Sequence, residues 1–388
     1  MEFVNIIANQ DYIVTDTGDG YFVYHSIGQY SGKAAALASA MAELSDSWGR
    51  PDDQQWNYLF GRRARFLELW RAIIGAAAGT TTTCENVTQA LHTLMTSLPK
   101  NLLKGRRVLV AADCFPSNHF LLTGLRDRLG FTLDTVKPRQ GAAWVADEDM
   151  IAQWDSDVAV ALLTWVTSTT SHRADIAALT KHGKAMGSIV GVDITQAAGL
   201  LPFSVNSPVV DFALSTSLKW MCGTPGAGIL YVEPNLISEC QPELRGWFSQ
   251  DNPFSWALDR FSLAPDIRRF DNGTPGMMAA AATIPALEWH AAQDMNAILQ
   301  HNRKLTALLI QAIDEFGFSL LTPRAEAERG GSIMVQLAEK HQAHDMLARL
   351  KAKNLLADAR GQILRLSPGV LTTQSATERL IEELKLLR

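Results

Sequence analysis

Long apolar runs, surplus positive charge and clustered cysteines are all scarce in this chain, and each shortage removes a class of function. No apolar stretch approaches the roughly 18 residues of a membrane span. The longest, around Val158–Val166, has the length of a buried strand. Lysine and arginine total 35 against 40 acidic residues, a formal charge of −5. Such a chain lacks the basic footprint that a phosphate backbone demands, so nucleic acid is not expected as a partner, and the want of a spanning run leaves no membrane expected either. Cys84, Cys114, Cys222 and Cys240 stand far apart, with no C-x-x-C pair and no zinc spacing, and they read as reduced core residues. No metal is expected. The opening MEFVNIIANQDYIV has no basic segment followed by an apolar one, as a secretory signal would, so a cytoplasmic location is expected.

What is present is ample core material: 47% of 388 residues are hydrophobic, enough for two lobes. From residue 107 strand and helix patterns alternate. RVLVAAD, FTLDTV, DVAVALLTWV, SIVGVDIT, DFALST and GAGILYV read as strands, with HFLLTGLRDRL and DIAALTKHGKAM as helices between them. Short apolar strands alternating with amphipathic helices predict an α/β fold with a mostly parallel, doubly covered sheet. Beyond residue 277 the pattern changes to one long helical stretch, MMAAAATIPALEWHAAQDMNAILQHNRKLTALLIQAIDEF. It is followed by a strand at SIMVQL, a helix near HDMLARLKAK, a strand at ILRLSP and a last helix at ATERLIEELKLL. That reads as a smaller α+β lobe, to which the helical pattern at Lys33–Trp48 either belongs or forms a bridge.

Three separate stretches carry chemistry. In GVDITQAAG, Asp193 falls at the end of a hydrophobic strand, where parallel sheets bind ligands. Taken alone it reads equally as a helix N-cap. Lys219 sits between Leu218 and Trp220, just ahead of a turn holding Gly223, Pro225, Gly226 and Gly228. A lysine in apolar company is either snorkelling at a sheet edge or chemically committed. Finally, TTTTCENVTQALHTL runs from polar residues into a helical pattern starting near Val87, and free N–H groups at a helix start can hold an anion. An anion cradle, a carboxylate and a reactive lysine together are what pyridoxal phosphate requires. The lysine forms the Schiff base, the helix end holds phosphate, and the carboxylate keeps the pyridine nitrogen protonated.

On these residues, together with RGWFSQDNPF and RRFDNGTPG, the sequence resembles the class V aminotransferase family of fold-type I pyridoxal-phosphate enzymes, and its kynureninase members most. The resemblance implies a large cofactor domain over 50–283 with a mostly parallel seven-stranded sheet. The smaller domain would be formed by 1–49 and 284–388. It implies that Lys219 carries the cofactor and moves the substrate's α-proton through a quinonoid, and that Asp193 pairs with the pyridine nitrogen. Gln196 would lie near the phenolic oxygen, Val87 and Thr88 at the phosphate, Phe115 against the ring face, and Trp247 at the border of the pocket. Thr274 of NGTPG would reach a partner subunit's phosphate, implying a homodimer with shared sites. Arg365 of ILRLSP would clamp the α-carboxylate of a small amino-acid substrate, with His25 and Ser26 nearby.

The pattern breaks at the pocket. Kynureninases place a tyrosine before the lysine, whereas this chain has Leu218; His25 replaces an asparagine, and Thr167–His172 lacks the usual Asn-Tyr pair. Retained cofactor residues with altered surroundings lead to a kynureninase-like side-chain cleavage of an L-amino acid as the first expectation. An aminotransferase or a cysteine-independent C–S lyase is the alternative, with a non-catalytic binding protein behind them. A cysteine desulfurase would need a cysteine in the C-terminal lobe, and none follows Cys240.

Overall fold

The computed structural model describes residues 18–338 and 340–387, so the stretch read for a secretory signal lies outside the described residues. Seven strands form the main sheet: β1 (Thr81–Cys84), β2 (Arg107–Ala111), β3 (Thr132–Val136), β4 (Val158–Thr164), β5 (Ile189–Asp193), β6 (Phe212–Thr216) and β7 (Gly228–Val232). Their order is β1-β7-β6-β5-β4-β2-β3. From β3 to β6 every neighbour is parallel, while β7 runs antiparallel to both β6 and β1.

The unbroken apolar run of β4 follows from its place between parallel neighbours, where both faces are covered. The alternation of side chains sorts the strand residues into two cores. Leu109, Ala161, Leu163, Val192 and Ala213 pack on one face with Trp70, Trp165 and Trp220. Val108, Val110, Val160, Leu162 and Leu214 pack on the other with Leu91, Leu94 and Leu122. This is the doubly covered α/β sheet expected from the strand pattern.

The helices that matter for the site are α1 (Lys33–Gly49), α2 (Gln55–Ile74), α3 (Val87–Met95), α4 (Pro116–Leu129), α5 (Ile176–Ala185), α6 (Met278–Ala291) and α7 (Met295–Phe316). A second, antiparallel sheet of order β10-β11-β9-β8 is built from β8 (Ser319–Leu320), β9 (Ile333–Gln336), β10 (Asp358–Arg360) and β11 (Ile363–Leu366). With α7, α8 (Lys340–Ala352) and α9 (Gln374–Lys385) it encloses its own core around Phe22, Leu309, Val335, Leu350, Leu364 and Leu380.

Two local expectations change. The stretch 277–316 is not one helix. It breaks after Ala291, and Asp294 restarts it by accepting a hydrogen bond from the Asn296 N–H. The polar Thr81–Cys84 is a strand, paired with Gly228–Tyr231 at the sheet edge, where threonine's β-branch suits an extended backbone. Helix α1 packs on α2 and α6, and the residue 283/284 boundary falls within α6.

Candidate active site

Connections leave β2 toward β3 on one side and reach β4 on the other, so the sheet reverses its winding between β2 and β4. Ligands of open α/β sheets bind outside the carboxyl ends of the strands at such a point. A cavity of about 610 Å³ lies there, walled by Phe115 and Asn118 after β2, Thr164 and Val166 at the end of β4, Asp193 at the end of β5, and Thr216, Leu218 and Lys219 after β6.

The chain turns sharply behind the lysine. Cys222 donates its N–H to the Lys219 carbonyl at 2.7 Å, and Gly223 donates to Ser217 O at 2.7 Å. Cys222 takes φ 57°, a left-handed backbone that costs a non-glycine residue of order 1 kcal/mol and marks an imposed geometry. Gly28 lies against the same turn: it donates to Leu218 O at 2.9 Å, and a Cβ on it would stand 1.9 Å from Lys219 O. Only glycine fits.

Lys219 lines the cavity and is half-buried. Burial pushes its amine down from 10.5 to about 8; the Asp193 carboxylate opposes that shift and the Arg365 charge adds to it. The amine sits 5.1 Å from the centre of the Phe115 ring. Asp193 is 6% exposed, its Oδ1 accepting from the Thr195 N–H at 3.0 Å and its Oδ2 from Asn118 Nδ2 at 3.0 Å. Its carboxylate is thereby fixed in orientation.

Helix α3 starts where expected. Asn86 caps it by accepting from the Gln89 N–H, which leaves the earlier N–H groups at Val87 and Thr88 for a ligand, and both residues line the cavity. Four further polar atoms on lining residues are buried without a protein partner: Asn118 Oδ1, Thr164 Oγ1, Thr195 Oγ1 and Thr216 Oγ1. Buried polar atoms are seldom left unpaired. A polar ring cofactor with a phosphate fits this wall: unpaired donors and acceptors, a free helix start, an aromatic face and a neutralisable amine.

Gln196 lines the cavity too, but its amide is already engaged. It donates to His25 O at 3.0 Å and to Ser168 Oγ at 3.3 Å, and accepts from Trp220 Nε1 at 3.2 Å. Trp247 and Thr274 do not line this cavity. Trp247 is 37% exposed and packs edge-on against Phe248, while Thr274 borders a separate cavity of about 330 Å³ that shares Glu85 and Gly226 with the first. Arg365 is held by a carboxylate and does not line the cavity. Its Nε donates to Asp358 Oδ1 at 2.7 Å and its Nη2 to Oδ2, and His25 Nε2 lies 3.1 Å from the same Oδ1. Ser26 is half-buried in the same segment as His25 and outside the cavity wall.

Sequence reasoning missed Asn118 and Asp358. Asn118 sits in the FPSN motif, in the first turn of α4, where a short amide can face the strand ends; that position was the available signal. Asp358 gave none, because its pairing with Arg365 is a cross-strand contact.

This fold is shared with solved pyridoxal-phosphate enzymes of fold type I. An apo cysteine desulfurase from Thermococcus onnurineus superposes with a TM-score of 0.83 at 17% identity, covering 98% of this chain and 99% of that one. The cystine C–S lyase C-DES, in complex with cysteine persulfide, gives a TM-score of 0.82 at 18% identity, covering 95% and 97%. The aminotransferase class-V family model matches residues 66–364, and the chain belongs to that family. Among curated relatives, the kynureninase of Deinococcus radiodurans is 27% identical, covering 88% of this chain and 82% of its own length. That of Geobacillus thermodenitrificans is 29% identical over 78% and 72%. Among the described residues no helix is long and apolar enough to cross a membrane, and no cluster of side chains could hold a metal ion.

Proposed function

We propose that this protein cleaves the side chain of an L-amino acid in the manner of a kynureninase. The coarser statement is secure from the family: it is a pyridoxal-phosphate enzyme of amino-acid metabolism. The observation that carries the finer reading is the convergence of Lys219, Asp193 and the free start of α3 on one cavity, in a chain whose curated relatives are kynureninases.

When bound, pyridoxal phosphate supplies an electron sink for the carbanion left at the substrate's α-carbon. Lys219, with its amine near 8, is suited to take the proton from that carbon and return it. Asp193, braced by Asn118 and the Thr195 N–H, would hold a proton on the ring nitrogen. Val87 and Thr88 would bind the phosphate, and Phe115 would cover a ring face. In this reading residues 50–283 form the cofactor domain and 1–49 with 284–388 the smaller one. Two copies pair so that Thr274 serves its partner's phosphate.

The test is to mix the cofactor-loaded protein with L-kynurenine and follow the absorbance spectrum. Anthranilate appearing during turnover supports the reading. A cofactor band that responds with no anthranilate refutes kynurenine cleavage. A second reading, C–S lyase or aminotransferase, is favoured by Leu218, which presents an apolar side chain to the cavity where a kynureninase offers a phenol. Pyruvate released from cystine, or exchange with a keto acid, identifies which.

A further inference from the structure

Arg365 and Asp358 face each other directly across β11 and β10. The arginine side chain is 8% exposed and the aspartate 31%. Asp358 takes one edge of the guanidinium, through Nε and Nη2. A guanidinium has five N–H groups, so this leaves both hydrogens of Nη1 and one of Nη2. Among the described residues no protein acceptor takes Nη1, and that nitrogen is not among the buried unpaired atoms. The terminal edge is therefore open and shaped for a planar carboxylate.

A buried polar cluster lies beside Asp358. The Asp358 Oδ1 lies 3.1 Å from His25 Nε2; His25 Nδ1 lies 2.7 Å from Ser367 Oγ, which donates to Ser332 Oγ at 2.7 Å. None of His25, Asp358 and Arg365 lines the cavity, but the cluster lies directly behind its wall, where Gln196 donates to His25 O at 3.0 Å, and the Arg365 charge lowers the Lys219 amine. The charges of Asp358 and Arg365 cancel, and burial keeps His25 below its ordinary value, in the neutral form. What remains on offer is directional hydrogen bonding more than net positive charge.

We propose that Asp358 is a positioning residue: by gripping one edge of Arg365 it aims the terminal Nη1/Nη2 edge at the carboxylate of the amino-acid substrate. The proposal deepens the function proposed above and rests on it. An unrestrained arginine must surrender its rotamer freedom on binding, and Asp358 removes that cost in advance.

The experiment titrates the cofactor's visible absorbance in the loaded protein with two probes, L-alanine and ethylamine, which differ by a carboxylate. In Asp358→Asn the Kd for L-alanine is expected to rise about tenfold while that for ethylamine changes less than about twofold, as lost preorganisation predicts. The thermal midpoint should hold. Equal weakening for both probes, or tighter L-alanine binding because Asp358 competes with substrate, overturns the proposal. If Arg365→Ala leaves L-alanine binding intact, the carboxylate site lies elsewhere and the proposal falls while the cofactor reading stands. If the wild type responds to no amine at all, both fall.

Discussion

A buried lysine amine leaves a signature in the stability of the cofactor-free protein that can be worked out beforehand. Lys219 is pushed from 10.5 to about 8, chiefly by burial. A displacement of that size corresponds to roughly 3 kcal/mol between the protonation states. The folded protein holds the proton more weakly than the unfolded chain, so stability rises with pH between 8 and 10.5. Below that window both states carry the proton and the full cost is present. Lys219→Met keeps the length of the side chain and removes the charge. At pH 7 the apo variant should therefore be more stable than the apo wild type by up to roughly 3 kcal/mol, or about 4 °C in midpoint for a chain of this size. The advantage should shrink steadily as pH climbs toward 10.5. Thermal unfolding of both apo proteins from pH 7 to 10 reads this directly. An advantage that stays constant with pH, or a less stable variant, refutes the account of Lys219 as a cation held against its desolvation cost.

Three further outcomes follow from the same geometry. Gly28→Ala places a methyl 1.9 Å from Lys219 O and should displace the lysine turn, seen as loss of the visible cofactor band in purified protein; a normal band would contradict it. Asn118→Leu removes the donor to Asp193 Oδ2 while keeping the side chain's bulk, and leaves a buried carboxylate oxygen short of a partner at a cost of about 1–3 kcal/mol. Faster cofactor loss on dialysis is the expected readout. Trp70→Phe deletes the 3.1 Å bond from Nε1 to Ser217 Oγ, two residues before the lysine, in a fully buried setting, and should cost about 1–3 kcal/mol in chemical denaturation.

The gathering of Lys219, Asp193 and the start of α3 at one cavity was legible because it is written in local patterns. A hydrophobic strand ending in Asp193, a lysine before a glycine turn and a polar run into α3 each announce themselves within a dozen residues, and the fold carries them to one cavity at the carboxyl ends of the strands. The half around Arg365 is set by contacts that no residue pattern marks. His25 and Asp358 are 333 residues apart in sequence, and although Asp358 stands only seven residues before Arg365, it is strand register that makes them partners. Thr81–Cys84 was obscured for a related reason: its polar residues belong to an edge strand, where alternation of apolar and polar residues is not required.

The segment from Tyr21 to Lys33 joins both ends of this molecule to its lysine. Phe22 donates to Leu356 O, Val23 pairs with Ser367, Gly28 donates to Leu218 O, and Lys33 Nζ donates to Gly28 O at 2.7 Å. Synthesis on the ribosome makes that segment long before its partners Leu356 and Ser367. The sheet carrying Asp193 and Lys219 can thus assemble while the chain is still growing, whereas the segment around His25 must wait unpaired until β11 and Ser367 emerge. A nascent chain stalled before β10 would hold Asp193 and Lys219 in place and still lack both Asp358 and Arg365.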